Sequence, residues 1–439
     1  MPHYFSYVTV KDRTGEEDET AARKVSVPVE VRGLSCGGDG AGAGSAAPAP
    51  VLIFSSGFLT PAAAYGTLLQ QLAAAGCVVV SYDKSFETLS YLMDDNDSVR
   101  LLAEVWRRAA ELLAGRQGQQ QQQQQAVGPV FLVGHSRGAK VSVLAAAAAA
   151  AAPAGAAEAY AVAIADRRGL ASIVGDVLVE GGDEASSRRS QASRQQSTTT
   201  ATESPQHTSA AAASSAQLPL PLPLAGVVLL DPADGAFEPQ DAARYPSALA
   251  AVAATPPRVG VSAAASATSE APAASGAGAG VGAAGGITEL LPALVVGAGR
   301  GGDCVPRAKN FRAFYEAWPG PRVLVTLPDA GHLQFLDTSD GLAQSMCAAG
   351  RGVANAQVAA AAAAATVAFA RGVVAATAAT TPIGVGVDVG AGGGAGGGGK
   401  GWESGGGRGG LGAVELRGLC ERALEGATAL RFSVEAAVP

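Results

Sequence analysis

The chain has 439 residues, more than one ordinary domain requires, but 58 are glycine, long tracts are alanine and only 5% are aromatic, so much of its length cannot be core. Charged residues make up 16%, below the roughly 25% usual for a soluble domain. A net charge of −7 without a long Lys/Arg run excludes a nucleic-acid footprint.

The five cysteines (Cys36, Cys77, Cys304, Cys347 and Cys420) are odd in number, scattered and without a C-x-x-C pair. That argues against a disulfide framework or a zinc site and fits a reducing compartment. The N-terminus lacks the basic and apolar regions of a secretory signal, and the acidic run Glu16–Glu19 is unlike a transit peptide. The alanine-rich runs near 140–152 and 354–379 are long but weakly hydrophobic, so they read as soluble helices rather than membrane spans.

In chain order, apolar runs over 4–10 and 25–31 predict two strands, and with no helix between them they form an antiparallel edge hairpin. A Gly/Ala/Pro-rich stretch over 37–50 separates them from a buried strand at 51–55, which ends in the turn Ser56-Gly57-Phe58. A helix over 62–75, a strand at 77–82 and a helix over 97–113 follow. Next come a glutamine run at 119–125, a strand at 129–133 and a helix over 137–152. Strands at 226–230, 293–296 and 322–327 and helices over 307–318 and within 341–379 complete the pattern. Short apolar strands alternating with helices predict an α/β fold, a mainly parallel central sheet covered by helices on both faces. The stretches 37–50, 117–127, 153–223 and 260–286 are low in aromatic and β-branched residues and read as flexible insertions. One domain of this α/β kind is thus expected over 1–380. A Gly-rich linker over 384–412 and a C-terminal segment at 413–439 containing a short helix follow it.

The strongest motif is Gly134-His135-Ser136-Arg137-Gly138, a G-x-S-x-G between a predicted strand and a predicted helix. A serine on so tight a strand-to-helix turn lifts its Oγ off the sheet, while the helix N-terminus behind it favours a developing oxyanion. The glycines let strand and helix approach where a Cβ would clash. In this α/β-hydrolase arrangement Ser136 is the candidate nucleophile, and the backbone N–H of Arg137 is one candidate oxyanion donor. The turn after the 51–55 strand is the place for the other, the N–H of Phe58.

A serine nucleophile needs a base, usually histidine. Of four histidines, His3 precedes the first strand, His135 adjoins the nucleophile and His207 lies in a low-complexity insertion. His332 follows the last core strand, where the chain order Ser, acid, His places the base. Two aspartates compete as the acid. Asp231 ends the strand 226–230, and Asp303 follows the strand 293–296; both occupy loops at carboxyl ends of strands, where sites on open α/β sheets lie. Strand order alone mildly favours Asp303, the acid nearer the histidine strand, and leaves Asp231 open.

These residues resemble the chlorophyllase family, hydrolases that remove phytol from chlorophyll. Gly134-His135-Ser136-Arg137-Gly138 resembles that family's G-H-S-R-G-G, with Ala139 in place of the last glycine. Asp231-Pro232-Ala233-Asp234-Gly235 resembles its D-P-V-D-G, with Ala233 for valine. Cys304-Val305-Pro306 after a strand and glycine-rich loop is similar to its Cys-x-Pro, and Phe311–Tyr315 is similar to the helix that follows. Gly331-His332-Leu333-Gln334-Phe335-Leu336-Asp337 resembles G-H-M-D-M-L-D, with Gln334 for aspartate. The resemblance spans about residues 48–340. It implies a triad of Ser136, Asp231 and His332, with Asp303 second choice for the acid, and no metal or organic cofactor. It also implies a tetrapyrrole phytyl ester as substrate, a chloroplast location and peripheral contact with a pigment-bearing membrane. A general carboxylesterase or lipase of the same fold, and a non-catalytic lipid- or pigment-binding protein, are the alternatives.

Overall fold

The computed structural model describes residues 3–9, 23–33, 48–83, 94–119, 127–151, 222–235, 244–254, 291–300, 304–338, 347, 350, 352–380 and 412–438. They build the predicted mainly parallel sheet, with nine strands in the order β1-β2-β4-β3-β5-β6-β7-β8-β9. Strands β1 (His3–Thr9) and β2 (Arg23–Arg32) pair antiparallel at one edge, and β2 pairs antiparallel with β4 (Val78–Tyr82). The centre is parallel: β4, β3 (Ala49–Ser55), β5 (Val127–His135), β6 (Leu224–Leu230), β7 (Ala293–Ala298) and β8 (Arg322–Leu327). A short strand β9 (Ser433–Ala437) closes the far edge antiparallel to β8.

The period-two alternation of strand side chains divides the core in two. Val51 and Ile53 of β3, Val130 and Leu132 of β5, and Val227 and Leu229 of β6 point to one face. There they meet helices α2 (Asp95–Gln119), α3 (Arg137–Ala151), α4 (Ala248–Ala254) and α5 (Phe311–Ala317). Leu52, Phe54, Phe131, Val133, Val228 and Leu230 point to the other face. They are covered by α1 (Gly66–Ala74), α6 (Asn355–Thr380) and α7 (Ala413–Ala427). Strands buried on both faces are continuous apolar runs for this reason.

Helix α6 is more strongly apolar than an alanine-rich run suggests. By length and composition it could cross a membrane, yet most of its apolar window is buried. Its alanines let it lie close to the sheet and to α7, so close that a Cβ on Gly372 would stand 2.7 Å from Leu419. A helix apolar on all sides is a core helix when other elements cover it.

The cysteine reading is corrected. Cys304 and Cys347 form a disulfide with a Cα separation of 5.0 Å, although 43 positions part them in sequence. Scattered spacing therefore hid a pair that only the fold brings together. Cys77 and Cys420 are free and buried. The proposed insertions lie almost wholly outside the described residues. The C-terminal segment carries, besides its helix α7, the strand β9 that sequence reading omitted.

Candidate active site

Strand β5 ends at His135, α3 begins at Arg137, and Ser136 makes the turn between them with φ +54°. The flanking glycines are required by contact. A Cβ on Gly134 would stand 2.4 Å from the carbonyl group of Gly138, and one on Gly138 would stand 2.1 Å from the Ser55 carbonyl oxygen. The Ser136 amide donates to the carbonyl of Leu230 at 3.0 Å, fixing the turn against the end of β6.

Asp231, the next residue after β6, also has positive φ, +40°. Its Oδ1 accepts from the amide of Ala298 at 3.0 Å, and its Oδ2 lies 2.6 Å from Nδ1 of His332. The other ring nitrogen of His332, Nε2, lies 3.0 Å from Ser136 Oγ. The serine hydroxyl, imidazole and carboxylate thus form one continuous hydrogen-bonded chain. His332 is 5% exposed and Asp231 2%, so the hydrogen bond between them is shielded from water. Asp303 lies outside the described residues.

His332 opens a 3-10 turn, His332–Phe335, after β8. Gln334, buried in that turn, holds it in place: its Oε1 accepts from the amides of Gly331 (2.8 Å) and Gly350 (2.9 Å), and its Nε2 donates to the Val353 carbonyl at 2.6 Å. Asp337 Oδ1 accepts from the Thr67 amide at 2.9 Å and ties the end of the segment to α1.

The turn after β3 comes to the same end of the sheet. Among the described residues only Leu59, Ser136 and Asp231 are non-glycine residues with positive φ. They follow β3, β5 and β6, side by side at the strands' carboxyl ends. Left-handed backbone at such residues costs about 1–3 kcal/mol each and clusters at functional sites. Beside Leu59, the Phe58 ring lies 5.5 Å from the Arg137 guanidinium carbon, and the Tyr245 ring lies 5.7 Å from it. The two candidate oxyanion residues are therefore neighbours.

Arg137 Nε donates to Asp95 Oδ1 at 2.7 Å. Lys140, 1% exposed, places Nζ 2.8 Å from Asp95 Oδ2 and 3.6 Å from Asp234 Oδ1. Asp234 in turn caps α4, accepting from the Ala248 amide at 2.9 Å and from Ser247 Oγ at 2.5 Å. Two buried cations and two buried carboxylates thus balance one another directly behind the elbow. Sequence reasoning missed Asp95, Lys140 and Gln334, and also Tyr65, which lies against His135. Asp95, Lys140 and Tyr65 share no local spacing with their partners; Gln334 lies three residues from Gly331, but its contacts to Gly350 and Val353 are longer-range. Among the described residues no group of three or more His, Cys, Asp or Glu could hold a metal ion.

The sequence profile of the Alpha/beta hydrolase family matches residues 51–345. No curated protein matches the chain. Among solved structures it is similar to a ferulic acid esterase from Streptomyces cinnamoneus, at 15% identity over 84% of this chain and 87% of that one, TM-score 0.38. It is also similar to a lipase/esterase from Lactobacillus plantarum, at 11% identity over 72% and 84%, TM-score 0.31. A third is Est1E from Butyrivibrio proteoclasticus, at 10% identity over 75% and 90%, TM-score 0.32. With the profile covering about two thirds of the sequence, and a nucleophile-elbow geometry within the matched span, the chain belongs to the alpha/beta hydrolase family.

Proposed function

We propose that the chain is a serine carboxylic-ester hydrolase whose substrate is the phytyl ester of chlorophyll or a related tetrapyrrole. The hydrolase reading is carried by the chain of bonds from Ser136 Oγ through His332 to Asp231, at 3.0 and 2.6 Å. The choice of ester rests on the resemblance of the segments around Ser136, Asp231 and His332 to chlorophyllase motifs.

In this mechanism His332 Nε2 takes the proton of Ser136 as Oγ attacks the ester carbonyl. Asp231 holds Nδ1–H and stabilises the imidazolium that forms. The oxyanion is met by the N–H groups of Phe58 and Arg137, aided by the N-terminus of α3. His332 then gives its proton to the departing phytol oxygen. It next activates a water that cleaves the acyl-enzyme and releases chlorophyllide. A chloroplast location and contact with a pigment-bearing membrane follow from that substrate.

The test is incubation of the purified chain with chlorophyll and, in parallel, with short-chain nitrophenyl esters. A polar green product lost in Ser136→Ala is the expected result, with activity falling about 10⁴-fold or more. Turnover of the short esters alone would make the chain a general carboxylesterase. No turnover and no labelling by a fluorophosphonate would make it a binding protein.

A further inference from the structure

We infer that Tyr65 and His135 form a positioning relay that ties the turn after β3 to the backbone of His332. The inference rests on the serine-hydrolase reading of the site. Three hydrogen bonds build the relay. The Gly57 amide donates to Tyr65 Oη at 3.0 Å, Tyr65 Oη lies 2.8 Å from His135 Nδ1, and His135 Nε2 lies 3.0 Å from the carbonyl oxygen of His332.

With His135 neutral, the chemistry of the two ends fixes the protons between them. An amide N–H only donates, so Tyr65 Oη accepts from Gly57. A carbonyl only accepts, so His135 carries its proton on Nε2. Neutral His135 then has a bare Nδ1, which accepts the Tyr65 hydroxyl proton. Burial pushes the Tyr65 phenol far above its ordinary value, which keeps that proton on the oxygen. Tyr65 and His135 are 0% and 1% exposed, so water does not substitute for these bonds. The His135 ring also lies beside those of His332 and Phe335, with centroids 4.9 and 5.3 Å apart.

Two consequences follow. His135 does not compete with His332 for the serine proton, since its one basic nitrogen is already occupied. And the two halves of the site, the turn bearing Phe58 and the turn bearing His332, are held in register through side chains rather than through the sheet alone. Tyr65 and His135 touch no reacting atom; they position the groups that do.

The test is the rate of Ser136 labelling by a fluorophosphonate, resolved into maximal rate and half-saturating concentration. The variants are Tyr65→Phe, His135→Leu and His135→Gln. Tyr65→Phe removes one oxygen atom, and glutamine offers a donor N–H and an acceptor oxygen much as neutral His135 does. Tyr65→Phe and His135→Leu should lower the maximal rate about tenfold to a hundredfold, the size expected for misplaced catalytic groups, with half-saturation unchanged. His135→Gln should recover most of the rate. Equal rates for wild type and Tyr65→Phe, or for His135→Gln and His135→Leu, would overturn the relay alone. A wild-type chain that does not label would overturn the hydrolase reading, and the relay with it.

Discussion

Asp231 Oδ2 lies 2.6 Å from His332 Nδ1, while Oδ1 of the same carboxylate is held by the Ala298 amide at 3.0 Å. Both oxygens are engaged, so the carboxylate cannot rotate without losing a buried bond. In Asp231→Asn the amide NH₂ facing His332 would favour the wrong imidazole tautomer, and kcat should drop about 10⁴-fold. With the place behind the imidazole filled by Asp231, Asp303→Asn should keep most of the activity. Steady-state rates of the two purified variants decide the matter; the reverse ranking would restore the acid that strand order favoured.

The elbow glycines make a stability prediction. A methyl on Gly138 would stand 2.1 Å from the Ser55 carbonyl and 2.4 Å from that of Ser56, both backbone atoms that cannot swing aside. Gly138→Ala should therefore destabilise the fold by about 1–3 kcal/mol or more, as overpacking does. It should also move β3, which leads to Phe58. Thermal unfolding and esterase activity should both fall; a variant with wild-type values in both would mean that strand and helix are not so close.

Cys304–Cys347 closes a loop that contains α5, β8 and His332. By the chain-entropy argument a loop of 43 residues loses about 4 kcal/mol of stability when the bond is opened. Cys347→Ser, or a reductant, should lower the melting temperature accordingly. The other two described cysteines should stay silent. Burial pushes the thiol of Cys77 up to about 11 and that of Cys420 up to about 12, so near pH 8 neither is a thiolate. Peptide mapping after iodoacetamide treatment of the native protein should find both unmodified, and heavy labelling of either would contradict their burial.

The parallel centre of the fold was legible because its strands are buried on both faces. Val51–Ser55 and Val227–Leu230 are continuous apolar runs that no amphipathic helix matches. The far edge was not: β9 buries only Val434, and so short a segment carries no period. Helix α4 went unread for a similar reason, being seven residues, mostly alanine. Ser136 and His332 were legible because local motif and chain order both constrain them. The choice of acid was not settled by strand order, since Asp231 and Asp303 each follow a strand. What decides which carboxylate faces His332 is a long-range contact. The same holds for the disulfide and for the partners of Arg137 and Lys140, which lie in segments far apart along the chain.

Those partners carry the last prediction. Asp95 is 0% exposed and meets both Arg137, at 2.7 Å, and Lys140, at 2.8 Å. Removing it takes the 2.7 Å carboxylate from Arg137 and leaves Lys140 with the longer 3.6 Å contact to Asp234, and breaking a buried ion pair from one side costs about 3–5 kcal/mol. Lys140→Met instead leaves Asp95 its bond to Arg137, so the loss should be smaller. Asp95→Leu combined with Lys140→Met removes the buried ammonium together with its nearest carboxylate and should be more stable than Asp95→Leu alone. Denaturant unfolding of the three variants gives the order. If Asp95→Leu alone were as stable as wild type, the cluster would be solvated rather than buried. Activity adds a second reading. The Arg137 guanidinium lies 5.5 Å from the Phe58 ring, so Asp95→Leu should also lower kcat by removing the carboxylate that holds it there. Lys140→Met, which leaves the bond between Asp95 and Arg137 in place, should keep kcat near wild type.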